Sequence, residues 1–339
     1  MDGLSKHFPI TSQGVLQKPS PLGKVAAKQT DEVLIKFAFT MGRQGRMRGN
    51  MAEEAWNIGK LLKWTEEYFT RAGIDTPRLD GEVLLCHVLN KERIHLYVHF
   101  DQPLTKAELT QFKDCIRQRV QHRPVAYIVG HKEFMGLDFR VTEDTLIPRP
   151  DTEILVETVI SRLQTGRENT GAIADIGTGT GAICLSLLNY LTTLRAVTVD
   201  ISEKALAVAR ENAERLGLLE RVELFQGDLL EPIRGRKFAA IVSNPPYIPE
   251  GDIAGLDVDV REYEPISALA AGADGLDFYR RLVAEAAELL TEDGFLAMEV
   301  GIGQANPVKA LGEGHGWGRC EIIKDLAGID RVVILWKQK

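Results

Sequence analysis

Cysteine, histidine and surplus positive charge are all scarce, and no long apolar run interrupts the chain. Four cysteines in 339 residues (Cys86, Cys115, Cys184 and Cys320) stand far apart, with no C-x-x-C pair and no histidine cluster beside them. That spacing offers neither a disulfide framework nor a zinc site, so no metal is expected and the cysteines read as buried thiols. No apolar stretch approaches the roughly 18 residues that a membrane span needs, and residues 1–20 carry no signal-peptide core, so a cytoplasmic location is expected. At a formal net charge of −7 the chain has no excess of Lys and Arg to neutralise bulk nucleic acid, and no stable nucleic-acid partner is expected. What remains is ordinary for a globular protein: 44% hydrophobic and 26% charged residues, in a length that accommodates two domains and a substantial core.

The most informative stretch is Ile241-Val242-Ser243-Asn244-Pro245-Pro246-Tyr247-Ile248-Pro249. The apolar run from Phe238 to Val242 reads as a short buried strand, which the prolines end because they have no N–H for the ladder. The motif therefore sits at a strand's carboxyl end, where open α/β sheets bind ligands. Two missing donors leave carbonyls and the Asn244 side-chain oxygen as acceptors beside the ring of Tyr247. Such a pocket suits a substrate –NH2 with two hydrogens to give, on a flat group that Tyr247 covers. The plainer alternative is a Pro-Pro turn closing a strand, with Tyr247 as packing.

Residues 1–50 carry eight Lys or Arg against three acids, are rich in Pro, Gly and Gln, and predict a disordered basic extension. From 51 to 130 the apolar period is helical, with stripes at Ile58, Leu61, Leu62, Trp64 and Phe69, at Leu79, Val83, Leu84 and Val88, and at Leu109, Phe112 and Ile116. This predicts a small helical domain suited to recognising a protein substrate. Residues 131–150 read as a linker, in which His131 to Thr142 alternate around Gly136 as a β-hairpin. Leu146-Ile147-Pro148-Arg149-Pro150-Asp151-Thr152-Glu153 follows as a rigid elbow. Asp151 or Thr152 is placed to cap a helix ending near Leu163, and Arg149 or Glu153 to line an active-site mouth. From 151 to 339 strands and helices alternate, which implies a seven-stranded, mostly parallel Rossmann-like sheet covered by helices on both faces.

The first of those strands runs into Asp175-Ile176-Gly177-Thr178-Gly179-Thr180-Gly181-Ala182. Its glycines let the backbone turn tightly and approach a ligand, and the helix that follows offers free N–H groups. Gly177-x-Gly179-x-x-Ala182 also satisfies the dinucleotide fingerprint, so the loop alone fits NAD or S-adenosylmethionine equally. Asp200, at the next strand's end, can accept ribose hydroxyls from either. Asp175, placed to face a cationic methionine group, the Gly227-Asp228-Leu229 turn, placed to frame an adenine, and the acceptor-rich Asn-Pro-Pro-Tyr favour S-adenosylmethionine. A hydride-transfer site has no use for the last of these.

Together these motifs resemble the Asn-Pro-Pro-Tyr subgroup of class I S-adenosylmethionine methyltransferases. Within it they are most similar to the protein-(glutamine-N5) methyltransferase family that modifies peptide-chain release factors (PrmC/HemK type). The resemblance covers about residues 52–337, including Glu262-Tyr263-Glu264-Pro265 and Ala273-Asp274-Gly275-Leu276, and leaves residues 1–50 without a counterpart. It implies methyl transfer to the side-chain amide of the glutamine in a Gly-Gly-Gln loop of a release factor, the expected partner, and a monomer is expected. It further implies that Gly177, Thr178, Gly179, Thr180, Gly181 and Asp200 hold S-adenosyl-L-methionine and that Leu229 lies against its adenine, where some relatives have an aromatic residue. Asn244, Pro245, Pro246 and Tyr247 would hold the glutamine, with Asn244 and Pro245 catalytic and Asn244 also touching the cofactor. The alternatives are a nucleic-acid adenine or cytosine amino-methyltransferase, since an exocyclic –NH2 poses the same problem, a non-catalytic binding module, and an NAD dehydrogenase, for which no catalytic His/Lys/Tyr arrangement is evident.

Overall fold

The computed structural model describes residues 56–164 and 171–338; the basic extension expected over residues 1–50 lies outside the described residues. Helices come first: α1 (Ile58–Arg71), α2 (Pro77–Leu89), α3 (Arg93–Val98), α4 (Lys106–Arg119) and α5 (Val125–Val129). Asn57 caps α1 by accepting the Lys60 N–H at 2.9 Å, and Pro77 opens α2 where no N–H is required. Thr105 and Glu108 form a reciprocal capping box on α4. The apolar stripes converge on one core, in which Ile58, Leu61, Phe69, Leu84, Phe112 and Ile116 are buried. Leu79 departs from its stripe and is 44% exposed. The short α3 and α5 went unpredicted because five or six residues cannot display a helical period.

The hairpin β1 (His131–Phe134) and β2 (Leu137–Arg140) turns at Met135-Gly136, as expected. The elbow differs in detail. A 3-10 turn at Pro150–Thr152 runs straight into α6 (Glu153–Gln164), and neither Asp151 nor Thr152 caps it by a side-chain bond. Both are engaged elsewhere: Asp151 pairs with Arg331 at 3.0 Å, and Thr152 meets Asn244.

The remaining elements are β3 (Ala172–Ile176), α7 (Ala182–Tyr190), β4 (Arg195–Asp200), α8 (Glu203–Arg215), β5 (Val222–Gln226), β6 (Phe238–Ser243), α9 (Val258–Arg261), α10 (Asp277–Glu285), β7 (Leu290–Glu299), α11 (Ala305–Gly314), β8 (Arg319–Lys324) and β9 (Asp330–Trp336). They build a seven-stranded sheet in the order β5-β4-β3-β6-β7-β9-β8, in which only β9 runs against its neighbours. After α10 a 3-10 turn at Ala286–Leu289 delivers the chain into β7.

β6 feeds two core layers: Ala240 and Val242 pack with Leu155 and Leu187 on one face and Ile241 with Tyr279 and Leu282 on the other, which Phe238 joins because the register shifts between Phe238 and Ala240. The order in which strands are added reverses about β3, which has β4 on one side and β6 on the other, all three parallel. Their carboxyl ends form the topological switch point. The helical region touches the segment after β6, where Arg119 pairs with Asp259 at 2.8 Å and the Tyr263 hydroxyl donates to the Gln121 carbonyl at 2.7 Å. Among the described residues no helix is long and apolar enough to cross a membrane.

Candidate active site

A cavity of about 350 Å³ opens at that switch point, walled by the turns that follow β3, β4, β5 and β6. This is the size and position expected of a small-molecule site. In the turn after β3, Gly177 (φ +75°) and Gly179 (φ +52°) adopt left-handed conformations, and a Cβ built on either meets nothing within 4 Å. Both residues line the cavity, so side chains here would occupy it. Asp200 organises the turn from below: one carboxylate oxygen accepts the Gly179 N–H and the other the Ser202 N–H, each at 2.9 Å. Burial pushes its pKa up, and these backbone donors pull it back. A carboxylate has about four acceptor positions, so capacity remains for hydroxyl groups in the cavity.

Asp175 does not face the cavity as expected. It is wholly buried beneath the turn, accepting from the Thr178 hydroxyl at 2.9 Å and the Cys184 N–H at 3.3 Å. Those bonds brace the glycine turn from behind, and burial pushes the Asp175 pKa up to about 6. After β5, Gly227, Asp228 and Leu229 form a wall. Leu229 sits at φ +49°, a conformation uncommon for a residue with a side chain and concentrated at functional sites.

Ser243, Asn244, Pro245 and Pro246 supply the opposite wall. The Ser243 hydroxyl donates to the Ile176 carbonyl at 2.7 Å, tying the end of β6 to the glycine turn. Asn244 donates from Nδ2 to Thr152 Oγ1 at 3.1 Å, which directs Oδ1 away from that contact. Tyr247 is not brought into the wall: it packs with the core layer containing Tyr279, its carbonyl accepts from Gln304 Nε2 at 2.9 Å, and burial pushes its phenol up to about 12.

Of the two elbow residues expected at the mouth, Arg149 is there and Glu153 is not. Arg149 donates from Nη2 to the buried Glu264 at 2.6 Å. Glu153 instead accepts the Met135 N–H at 2.7 Å and steadies the hairpin. Sequence reasoning missed Phe134, Ile201, Ile266 and Phe278, all in the wall. Ile201 (65% exposed) and Ile266 (50% exposed) carried a signal only in being large apolar residues in turns. Among the described residues no group of three or more His, Cys, Asp or Glu is arranged to hold a metal ion.

The cavity's lining fits S-adenosylmethionine: a glycine cradle, a carboxylate with spare acceptor capacity, an apolar turn, and a wall poor in backbone donors. A seven-stranded sheet built this way, with donors and acceptors so divided across its switch point, is that of a Rossmann-like methyltransferase. Residues 60–130 match the family described as PrmC N-terminal domain, and residues 150–256 match the methyltransferase small domain. The chain is 45% identical to the release factor glutamine methyltransferase of Geobacter sulfurreducens over 280 residues, covering 83% of this chain and 96% of that one. It is 47% identical to that of Moorella thermoacetica over 268 residues, covering 79% and 94%. Among solved structures, the release factor-specific protein-(glutamine-N5) methyltransferase from Alicyclobacillus acidocaldarius is 32% identical, with 59% of this chain and all of that chain covered at a TM-score of 0.37. The chain belongs to the release factor glutamine methyltransferase family, and that membership implies S-adenosylmethionine as methyl donor.

Proposed function

We propose that this chain methylates the side-chain amide nitrogen of the glutamine in the Gly-Gly-Gln loop of peptide-chain release factors, acting as a cytoplasmic monomer with no lasting hold on nucleic acid. The observation that carries this reading is the orientation of Asn244, whose Nδ2 is occupied by Thr152 while the residue lines the cavity next to two prolines. An amide nitrogen is a poor nucleophile because its lone pair is shared with the carbonyl, on the scale of the ~18–20 kcal/mol peptide rotation barrier. Asn244 Oδ1 and the Pro245 carbonyl accept the two amide hydrogens and fix the nitrogen's direction. As positive charge develops on nitrogen those hydrogens become more acidic, so the two acceptors hold the transition state more strongly than the ground state. No strong general base is required, because the proton is lost only after the nitrogen is alkylated.

S-adenosylmethionine supplies the electrophilic methyl group. Gly177 to Gly181 approach it through backbone, Asp200 accepts from its ribose, and Leu229 lies against its adenine. Pro246 and Tyr247 complete the substrate side, Pro246 in the wall and Tyr247 by holding the turn against Gln304. The N-terminal part, residues 51–130, recognises the release factor, the linker of 131–150 joins it to the catalytic part, residues 151–339, and the acceptor wall rejects a glutamate carboxylate, which has no hydrogens to give.

The reaction is tested by mass spectrometry of release factor after incubation with the chain and S-adenosylmethionine, with DNA and RNA offered in parallel. The expected result is a gain of one methyl in place of one hydrogen, localised to the Gly-Gly-Gln peptide. Methyl transfer to a nucleic-acid amino group alone would overturn the reading. Asp200→Ala is expected to weaken S-adenosylmethionine binding by about tenfold, the scale of losing charge-assisted hydrogen bonds. Calorimetry reads this directly, and an unchanged affinity removes Asp200 from the ribose contact.

A further inference from the structure

The Asn244 carboxamide has two faces, and which one meets the substrate decides whether the site accepts or donates hydrogen bonds. Behind it, at the end of β7, lies Glu299, only 1% exposed, with one carboxylate oxygen buried and without a hydrogen-bond partner. Asn244 follows Ser243, which pairs with Met298 next to Glu299, and Thr152 and Asn244 are polar neighbours that favour the charged form of this carboxyl. Thr152 Oγ1 accepts from Asn244 Nδ2 at 3.1 Å, which leaves its hydroxyl hydrogen free to turn towards the carboxylate.

We propose that Thr152 and Glu299 are positioning residues that fix the rotation of the Asn244 side chain, so that Oδ1 rather than Nδ2 faces the substrate amide. This deepens the proposed reaction and rests on it. A charged Glu299 attracts donors and repels a carboxamide oxygen, so a flipped Asn244 would set Oδ1 towards an uncompensated buried carboxylate. The relay comes from three separate places in the fold, the elbow before α6, the end of β6 and the end of β7, and none of its members touches the cavity through a charge.

The other groups facing Glu299 are Arg331 on β9, Asp151 in the elbow, and the phenols of Tyr247 and Tyr279. Burial is the largest influence on Glu299 and raises its pKa to about 7, with Thr152 and Arg331 opposing the rise. Above that midpoint the carboxylate enforces the orientation. Below it the carboxyl can itself donate, and the preference for Nδ2 on that side is lost. Turnover should therefore rise with pH through about 7.

The test is the pH dependence of kcat for Thr152→Val, Thr152→Ser and Glu299→Gln, each alone and with Asn244→Ala, with S-adenosylmethionine binding by calorimetry as the check on folding. Thr152→Val and Glu299→Gln are expected to lower kcat about tenfold, less than the ~10²-fold that a 1 Å misplacement costs, with KM for release factor unchanged. Thr152→Ser should recover most of that loss, and Glu299→Gln should remove the acidic limb of the profile. In the Asn244→Ala background neither change should cost anything further. Wild-type kcat in both single variants, or a loss that persists undiminished without Asn244, overturns the relay. If Asn244→Ala itself turns over at the wild-type rate, the parent mechanism fails instead. A Thr152→Val protein that does not bind S-adenosylmethionine leaves the decision to Glu299→Gln, whose shape is conserved.

Discussion

Replacing Asn244 by alanine should lower turnover by on the order of 10²-fold, the usual scale for losing one pre-aimed polar group, while S-adenosylmethionine affinity changes far less. The substitution removes an acceptor but leaves the glycine turn and Asp200 in place, since Gly179 and Ser202 hold Asp200 independently of β6. The loss belongs in kcat because the acceptor binds hydrogens that acquire positive character only as the reaction proceeds. Asn244→Asp is the sharper companion. It keeps an oxygen towards the cavity, but it places a second carboxyl beside the buried Glu299 and deprives Thr152 of its donor. Single-turnover measurement with saturating release factor separates the two contributions. A wild-type rate for Asn244→Ala with cofactor affinity intact would show that the acceptor role is wrong.

The second large effect is on stability. Arg119→Met should destabilise the chain by about 3–5 kcal/mol, the cost of leaving one member of a buried ion pair without its partner. Arg119 is 6% exposed and donates from Nε to Asp80 at 2.6 Å, and Asp80 is equally buried. It also pairs through Nη1 with Asp259 at 2.8 Å, so one guanidinium joins α2 and α4 to α9. The segment after α9 carries Pro265 and Ile266 into the cavity wall. Loss of Arg119 should therefore also raise KM for release factor, because the wall is hung on the helical region through this contact. Equilibrium denaturation measures the first effect. The double variant Arg119→Met with Asp80→Leu should recover most of the loss, since an apolar pair of similar volume carries no stranded charge. A cost below about 1 kcal/mol for Arg119→Met would mark the network as solvated and remove the coupling with it.

Much of this architecture is legible along the chain because it rests on local rules. Period-two and period-3.6 apolar patterns set the seven strands and the long helices. Pro245-Pro246 stops β6 where its ladder must end, and Gly177 and Gly179 mark a turn that only left-handed backbone can make. What could not be read was the direction of side chains whose partners lie far away in sequence. Asp175 looked like a ligand for a cation and is a brace for Thr178 and Cys184. Tyr247 looked like a lid over the substrate and is packed beside Gln304. Thr152 looked like a helix cap and serves Asn244, 92 positions away.

The sequence by itself determined the class of fold, the strand ends that meet at the cavity and the donor-poor turn after β6, because strand periodicity, proline's missing N–H and glycine's freedom act within a few residues. Only the tertiary structure decided that Asn244 gives its Nδ2 to Thr152, that Glu299 lies beside them, and that Arg149 reaches the mouth held by a buried Glu264. Those outcomes depend on burial and on charges brought together from separate strands. Neither has a local signature, since a carboxylate is an ordinary surface residue until the fold removes its water.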